Sequence, residues 1–155
     1  MIKLGKLTDY AIVVMGQLFK EGTNVLRSAH FLAEKTSIPE PTVAKVLKLL
    51  AQAGLVESLR GAAGGYRLAK PPALITVADI ITAIEGPITI VSCVEGSGED
   101  CKLQATCLAK SSWAPVNNAI RRALETVKLT DMVGASGTRT YAFIRDMPVI
   151  QMEKR

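Results

Sequence analysis

All three cysteines of the chain, Cys93, Cys101 and Cys107, fall in one short stretch with the spacing C-x7-C-x5-C, among Gly, Ser, Glu and Asp. Thiolates gathered on one glycine-rich acidic segment can close around a single soft metal centre, whereas scattered cysteines would act as small buried hydrophobes. The spacing lacks the C-x2-C pairs of a zinc finger or ribbon. An odd count argues against the closed disulfide framework of small secreted domains. Three thiolates with one position left for another ligand suit an iron–sulfur cluster, which is usually held by four ligands. Two other readings of the same residues stay open: a metal-free thiol or disulfide switch, and three ordinary cysteines in a surface loop. Enzyme chemistry fits poorly. No histidine lies near the cysteines in sequence, and an acidic surrounding raises a thiol pKa rather than lowering it.

A chain of 155 residues makes one domain, or a small domain with an appended element. Hydrophobic content is 48% but only 5% of residues are aromatic, so the core must be aliphatic. The formal charge of +5 is compatible with a nucleic-acid partner without requiring one. The stretch Met1–Lys6 has no features of a signal peptide, and the longest apolar run is too short to span a bilayer. No membrane partner is expected. The chain reads as cytoplasmic, where thiols stay reduced and available to metal.

The first half reads as a helix-turn-helix. Thr8 is the expected N-cap of a first helix with Tyr10, Ala11, Val13, Val14 and Leu18 on one face, ended by Gly22. Thr23 to Arg27 could form a small strand. Ser28 caps a second helix, Ala29 to Thr36, with Phe31, Leu32 and Ile38 inward. The lone histidine, His30, reads as a surface or partly buried residue of that helix. A turn at 37–41 leads into a third helix from about Pro41 to Ala53, with Val43, Val46, Leu47 and Leu50 as its buried stripe and Gly54 as its stop. Two helices around a tight turn are the helix-turn-helix pattern. Leu55–Leu59 and Tyr66–Ala69 then read as strands around a basic, glycine-rich turn, Arg60–Gly65. This hairpin is a wing, tipped by Arg60 and Arg67, that could place arginine in a minor groove. Gly61, Gly64 and Gly65, with Tyr66 beside them, permit unusual backbone angles and close approach to a partner. On the third helix Thr42 and Lys45 can reach base edges. Lys48, Lys3 and Lys6 are candidates for phosphate contacts, which position without specifying sequence.

The second half reads as a dimerising sensor arm. Pro71-Pro72 breaks the chain. The expected divisions are 1–72 for DNA binding, 73–133 for the cysteine loop and dimerisation helix, and 134–155 for a tail. Thr76 and Asp79 form a short capping box for a helix with Val77, Ile80, Ile81 and Ile84 inside, ended by Gly86-Pro87. Ile88 to Val91 leads into the cysteine loop. A long helical pattern then runs to about Val127, with Pro115 as a kink or in the first turn. Trp113, Val116, Ile120, Leu124 and Val127 line one face, whose economical burial is against a second copy of the chain. A homodimer would also give two recognition helices for paired half-sites on double-stranded DNA. Leu129–Val133 is a last short turn. The tail from Gly134 has no clear period; Tyr141–Ile144 could pair as a strand, and disorder fits equally. The fold class is mainly α with a small β-hairpin wing: a winged helix-turn-helix plus a long dimerisation helix.

Taken together, Leu7–Ala11, Arg60–Tyr66 and the three cysteines followed by Leu108–Trp113 resemble the bacterial IscR/NsrR-type winged-helix regulators, over roughly Met1 to Val133. The match looks closest to the branch regulating the SUF iron–sulfur assembly operon. The resemblance implies a dimeric transcription regulator, acting as a repressor, whose cluster occupancy (2Fe-2S or 4Fe-4S) controls operator binding. It implies cluster ligation by Cys93, Cys101 and Cys107. Where one relative has a histidine as fourth ligand this chain has Lys110, which is charged at neutral pH. Asp9 matches the aspartate that other relatives supply from the partner subunit; otherwise it simply favours the positive end of its helix. Glu95, Glu99, Asp100, water or a small thiol could substitute. The first cysteine gap is longer than in the relatives. Ala44 stands where one relative has an operator-tuning glutamate, so Thr42 and Lys45 should take a larger share of recognition. Arg60 matches the minor-groove arginine. A nitric-oxide or redox-responsive regulator of the same fold is the nearest alternative.

Overall fold

The computed structural model describes residues 3–91 and 112–134. The three cysteines, Lys110 and the tail beyond Gly134 lie outside these residues, as do the expectations placed on them.

The first helix, α1, spans Lys6–Glu21 and starts three residues earlier than its sequence suggests. Thr8 is not its cap. The N-cap position is Gly5, which has no side chain to offer. The carboxylate of Glu85 fills that role from eighty residues away, accepting from the Gly5 N–H at 2.7 Å and from the Thr8 hydroxyl. Thr8 is fully buried inside the helix. Its hydroxyl therefore needs an internal partner, and Glu85 supplies one. The inward face of α1 is Ala11, Val14, Met15 and Leu18. Val13, expected on that face, points outward and is 43% exposed.

The next elements follow the sequence closely. Helix α2 is Ala29–Thr36, and its Ser28 cap accepts from the Phe31 N–H at 3.1 Å. Helix α3 is Glu40–Gln52, with Pro41 in its first turn and Val43, Val46, Leu47 and Leu50 buried. Gly54 follows in the left-handed region, φ 69°, where a helix stop wants glycine. Strands β1 (Val56–Leu59) and β2 (Gly65–Leu68) pair antiparallel, with Val56 opposite Leu68 and Leu59 opposite Gly65. The small strand expected at 23–27 reduces to one bridge, Arg27 with Tyr66.

Beyond a 3-10 turn at Pro72–Leu74 comes helix α4, Val77–Glu85. Its capping box is complete: Asp79 N–H donates to Thr76 Oγ1 at 3.0 Å and Thr76 N–H to Asp79 Oδ2 at 2.9 Å. Helix α5 is Trp113–Thr126, with Pro115 in its first turn, and helix α6 is Leu129–Gly134. The chain returns to the start of α4 there: Val77 N–H bonds Val127 O and Leu129 N–H bonds Ile75 O, both at 2.9 Å. Ile75, Ile80 and Leu129 are fully buried with Val14, Leu32, Val43 and Leu50 in one hydrophobic core. The core is aliphatic, as the composition requires. On α5, Trp113 and Val116 stay 40% and 43% exposed. Among the described residues no helix is long and apolar enough to cross a membrane.

The Glu85 contact makes a prediction. Glu85→Ala should cost about 1–2 kcal/mol, the combined value of a lost helix cap and an unsatisfied buried hydroxyl. Urea unfolding with an unchanged m-value measures it. A loss no greater than that of an ordinary surface glutamate would mean that Thr8 finds another partner.

Candidate nucleic-acid interface

The core stripe of α3 fixes what its opposite face can present. Lys45 and Lys48 stand exposed there, with Ala44 between turns, while Thr42 is half-buried. The α2–α3 turn is tight because Ser37 adopts a left-handed conformation, φ 57°. Lys3 and Lys6 are exposed at the start of α1.

The wing follows α3 directly. Arg60 is exposed at its tip. The turn is closed by Gly64 N–H donating to Gly61 O at 2.9 Å. A Cβ on Gly64 would meet Leu59 O at 2.2 Å, and one on Gly65 would lie 2.9 Å from Arg27 O. These two glycines are therefore demanded by the chain's own backbone, whatever approaches from outside. Tyr66 is half-buried beside Arg27. Arg67 is not at the tip with Arg60. It lies back in β2 opposite Glu57, and its Nη2 is 2.8 Å from Glu57 Oε2. The strand register puts those two side chains on one face, where opposite charges pair.

One pair was not read from the sequence. His30 Nδ1 lies 3.0 Å from Glu40 Oε2, and His30 Nε2 lies 3.5 Å from Glu34 Oε1. The Glu34 contact has the i, i+4 spacing of a helix pair and was legible. The Glu40 contact joins α2 to the first residue of α3 and depends on the turn geometry. His30 is on the surface, as expected. The hydrogen bond to Glu40, then the charges of Glu34 and Glu40, raise its pKa above the ordinary histidine value.

Asp9 is exposed in the first turn of α1, next to Thr8 and so beside the Glu85 contact. The cysteine segment leaves the described part just after Val91 and returns before Ser112. Its two ends are joined: Ile90 N–H donates to Asn117 Oδ1 at 3.1 Å, and Asn117 is buried at 5% exposure. Among the described residues no group of three or more His, Cys, Asp or Glu could hold a metal ion. The candidate donors read from the sequence are the three thiols, outside the described residues, with Asp9 as an accessible carboxylate. That donor set suits an iron–sulfur cluster in kind.

Comparisons with known proteins agree with this architecture. Residues 4–135 match the Rrf2 family, described as an iron-dependent transcriptional regulator. The chain is 31% identical to the transcriptional regulator NsrR of Bacillus licheniformis over 132 residues, 85% of this chain and 92% of that protein. Among solved structures it is similar to CymR of B. subtilis, described as the global cysteine regulator, with TM-score 0.67 and 30% identity over 88% of this chain and all of that one. It is also similar to T. potens IscR, with TM-score 0.61 and 29% identity over 92% and 96% of the two chains.

The histidine supplies the test at this surface. Because its pKa is raised, the His30–Glu40 attraction is fully present below about pH 6.5 and fades as pH rises through the shifted value. Titration followed by NMR should give a midpoint above the ordinary value, and Glu40→Gln should move it down. Global stability should hardly change, since both side chains are exposed. A midpoint insensitive to Glu40→Gln would dismiss the pairing.

Proposed function

The chain belongs to the Rrf2 family and is a DNA-binding transcription regulator, and from that premise we propose that it is a repressor responding to an iron–sulfur cluster. The observation that carries the DNA side is the placement of exposed Lys45 and Lys48 on the outer face of α3, with Arg60 on the wing that follows it. Helix α3 enters the major groove, where Lys45 and Thr42 reach base edges. Arg60 enters the adjacent minor groove, and Lys3, Lys6 and Lys48 neutralise phosphates. Gly61, Gly64, Gly65 and Tyr66 shape the wing, with Arg67 bracing it through Glu57.

Cys93, Cys101 and Cys107 hold the cluster in this reading, and Asp9 of a second subunit completes the set. The clustering of all cysteines in one segment, the exposure of Asp9 and the likeness to IscR support it. When bound, such a group supplies an oxygen- and nitric-oxide-sensitive centre. The controlled genes in this reading are those for iron–sulfur assembly, an assignment that rests on the sequence resemblance. A homodimer is supported by the exposed Trp113 and Val116 on α5. The same three clustered thiols carry a second reading, a metal-free regulator switched by disulfide formation. Asp9, an exposed carboxylate in the first turn of α1, favours a nitric-oxide signal within the first reading.

Anaerobic purification with iron, acid-labile sulfide and visible absorption read on one sample separates these. Iron and sulfide in matched amounts, with an absorption band that bleaches in air, are expected. Asp9→Ala should then alter the spectrum or the stability of the cluster to air. A colourless protein that also resists reconstitution, and in which mass spectrometry finds a specific disulfide, would establish the second reading instead.

A further inference from the structure

The wing is a two-stranded hairpin, and such hairpins are only marginally stable unless braced. Its root is fixed to α3, since Leu55 N–H bonds Leu50 O at 3.0 Å and Ala69 N–H bonds Leu55 O at 3.0 Å. Nearer the tip, the bracing partner is Arg27. Its N–H donates to Tyr66 O at 2.9 Å and its O accepts from Tyr66 N–H at 2.8 Å. Tyr66 is one residue from the end of the β1–β2 pairing, so this bridge sits beside the turn that bears Arg60.

Arg27 is itself held from two sides. Its Nε and Nη2 both reach Glu21 Oε2, at 2.8 and 2.7 Å. The other oxygen of Glu21 accepts from Gln17 Nε2 at 2.8 Å. The guanidinium also lies over the Phe31 ring of α2, 4.7 Å from its centroid, at cation–π distance. Glu21 closes α1 and Phe31 belongs to α2. One side chain thus reports the position of both helices to the strand that carries the wing. Its guanidinium holds the Glu21 carboxyl below the usual carboxylate range, with Gln17 adding to the effect.

We propose that Arg27 is a positioning residue for DNA binding: anchored to Glu21 and Phe31 by its side chain and to Tyr66 by its backbone, it sets where Arg60 stands relative to α3. This rests on the reading of Arg60 as a DNA contact. Arg27 acts through the wing and touches no DNA itself. Without its side-chain anchor the Arg27 backbone loses its fixed place, and the tip of the wing is no longer held against α2.

A double-mutant cycle tests it. The probe is a DNA duplex selected by the wild-type chain from a randomised pool. Affinity and its salt dependence are measured for the wild type, Arg27→Ala, Arg60→Ala and the double variant. Arg60→Ala should weaken binding roughly tenfold and lower the salt slope by about one. Arg27→Ala should do much the same, and the double variant should be little worse than either, because both remove one contact. Glu21→Ala, which keeps Arg27 but leaves its side chain only Phe31 to hold it, should weaken binding in the same direction, and it takes the place of Arg27→Ala in the cycle if that variant folds poorly. Glu21→Gln, which keeps an acceptor, should partly restore affinity. If Arg60→Ala costs the same factor with and without Arg27, the positioning role is overturned. If Arg60→Ala costs nothing even in the wild-type background, the wing is not a DNA contact, and the inference falls with that reading.

Discussion

Helix α1 must satisfy neighbours on nearly every side. Helices α2, α3, α4 and α6 and strand β2 all pack against it. That constraint explains its composition. Ala11 and Gly16 are buried where neighbours come close, and a Cβ on Gly16 would lie 2.9 Å from Val133 Cγ2 of α6. It also explains why both ends are secured from outside. Glu85 caps the N-terminal end, while Glu21 at the C-terminal end binds Arg27. A helix of 16 residues is about 24 Å long. The rod therefore has Asp9 near one end and the wing brace at the other, on a single rigid element.

What the sequence revealed and what it hid divide along contact distance. The Ser28 cap, the Thr76–Asp79 box, the α3 stripe and the hairpin depend on residues a few positions apart, and all were readable. The cap on α1 joins residues 5 and 85. Local rules favoured Thr8 because threonine is a good cap, and only the packing of α4 against α1 shows that it is buried instead. Val13 was misplaced for a related reason: several apolar residues crowd α1, and periodicity alone does not choose among overlapping faces. For the interface, Arg60 and the α3 lysines were legible as exposed cations. The pairing of Arg67 with Glu57 needed the strand register, and the brace at Arg27 needed a bridge between segments nearly forty residues apart.

The carboxylates near this surface are matched to cations or, for Glu40, to a histidine that is charged only when protonated. Glu57 faces Arg67, Glu40 faces His30, and Glu21 faces Arg27. Each pair gives little stability where exposed. Their effect on a polyanion is larger, because a carboxylate held against a cation repels phosphate less. Among the described residues Lys45, Lys48 and Arg60 enter no such pair. Net positive charge is thus concentrated where α3 and the wing tip emerge.

The bond between Ile90 and Asn117 has a consequence for how such chains diversify. It ties the two ends of the cysteine segment to each other, independently of what lies between them. Closing a loop grows costlier only slowly with length, about 0.6 kcal/mol for each doubling. Residues can therefore be added or removed inside that neck with little penalty to the helices outside it. The seven residues between Cys93 and Cys101 lie inside this neck. The spacing of the thiols can thus be retuned in one place while the described helices on either side keep their positions.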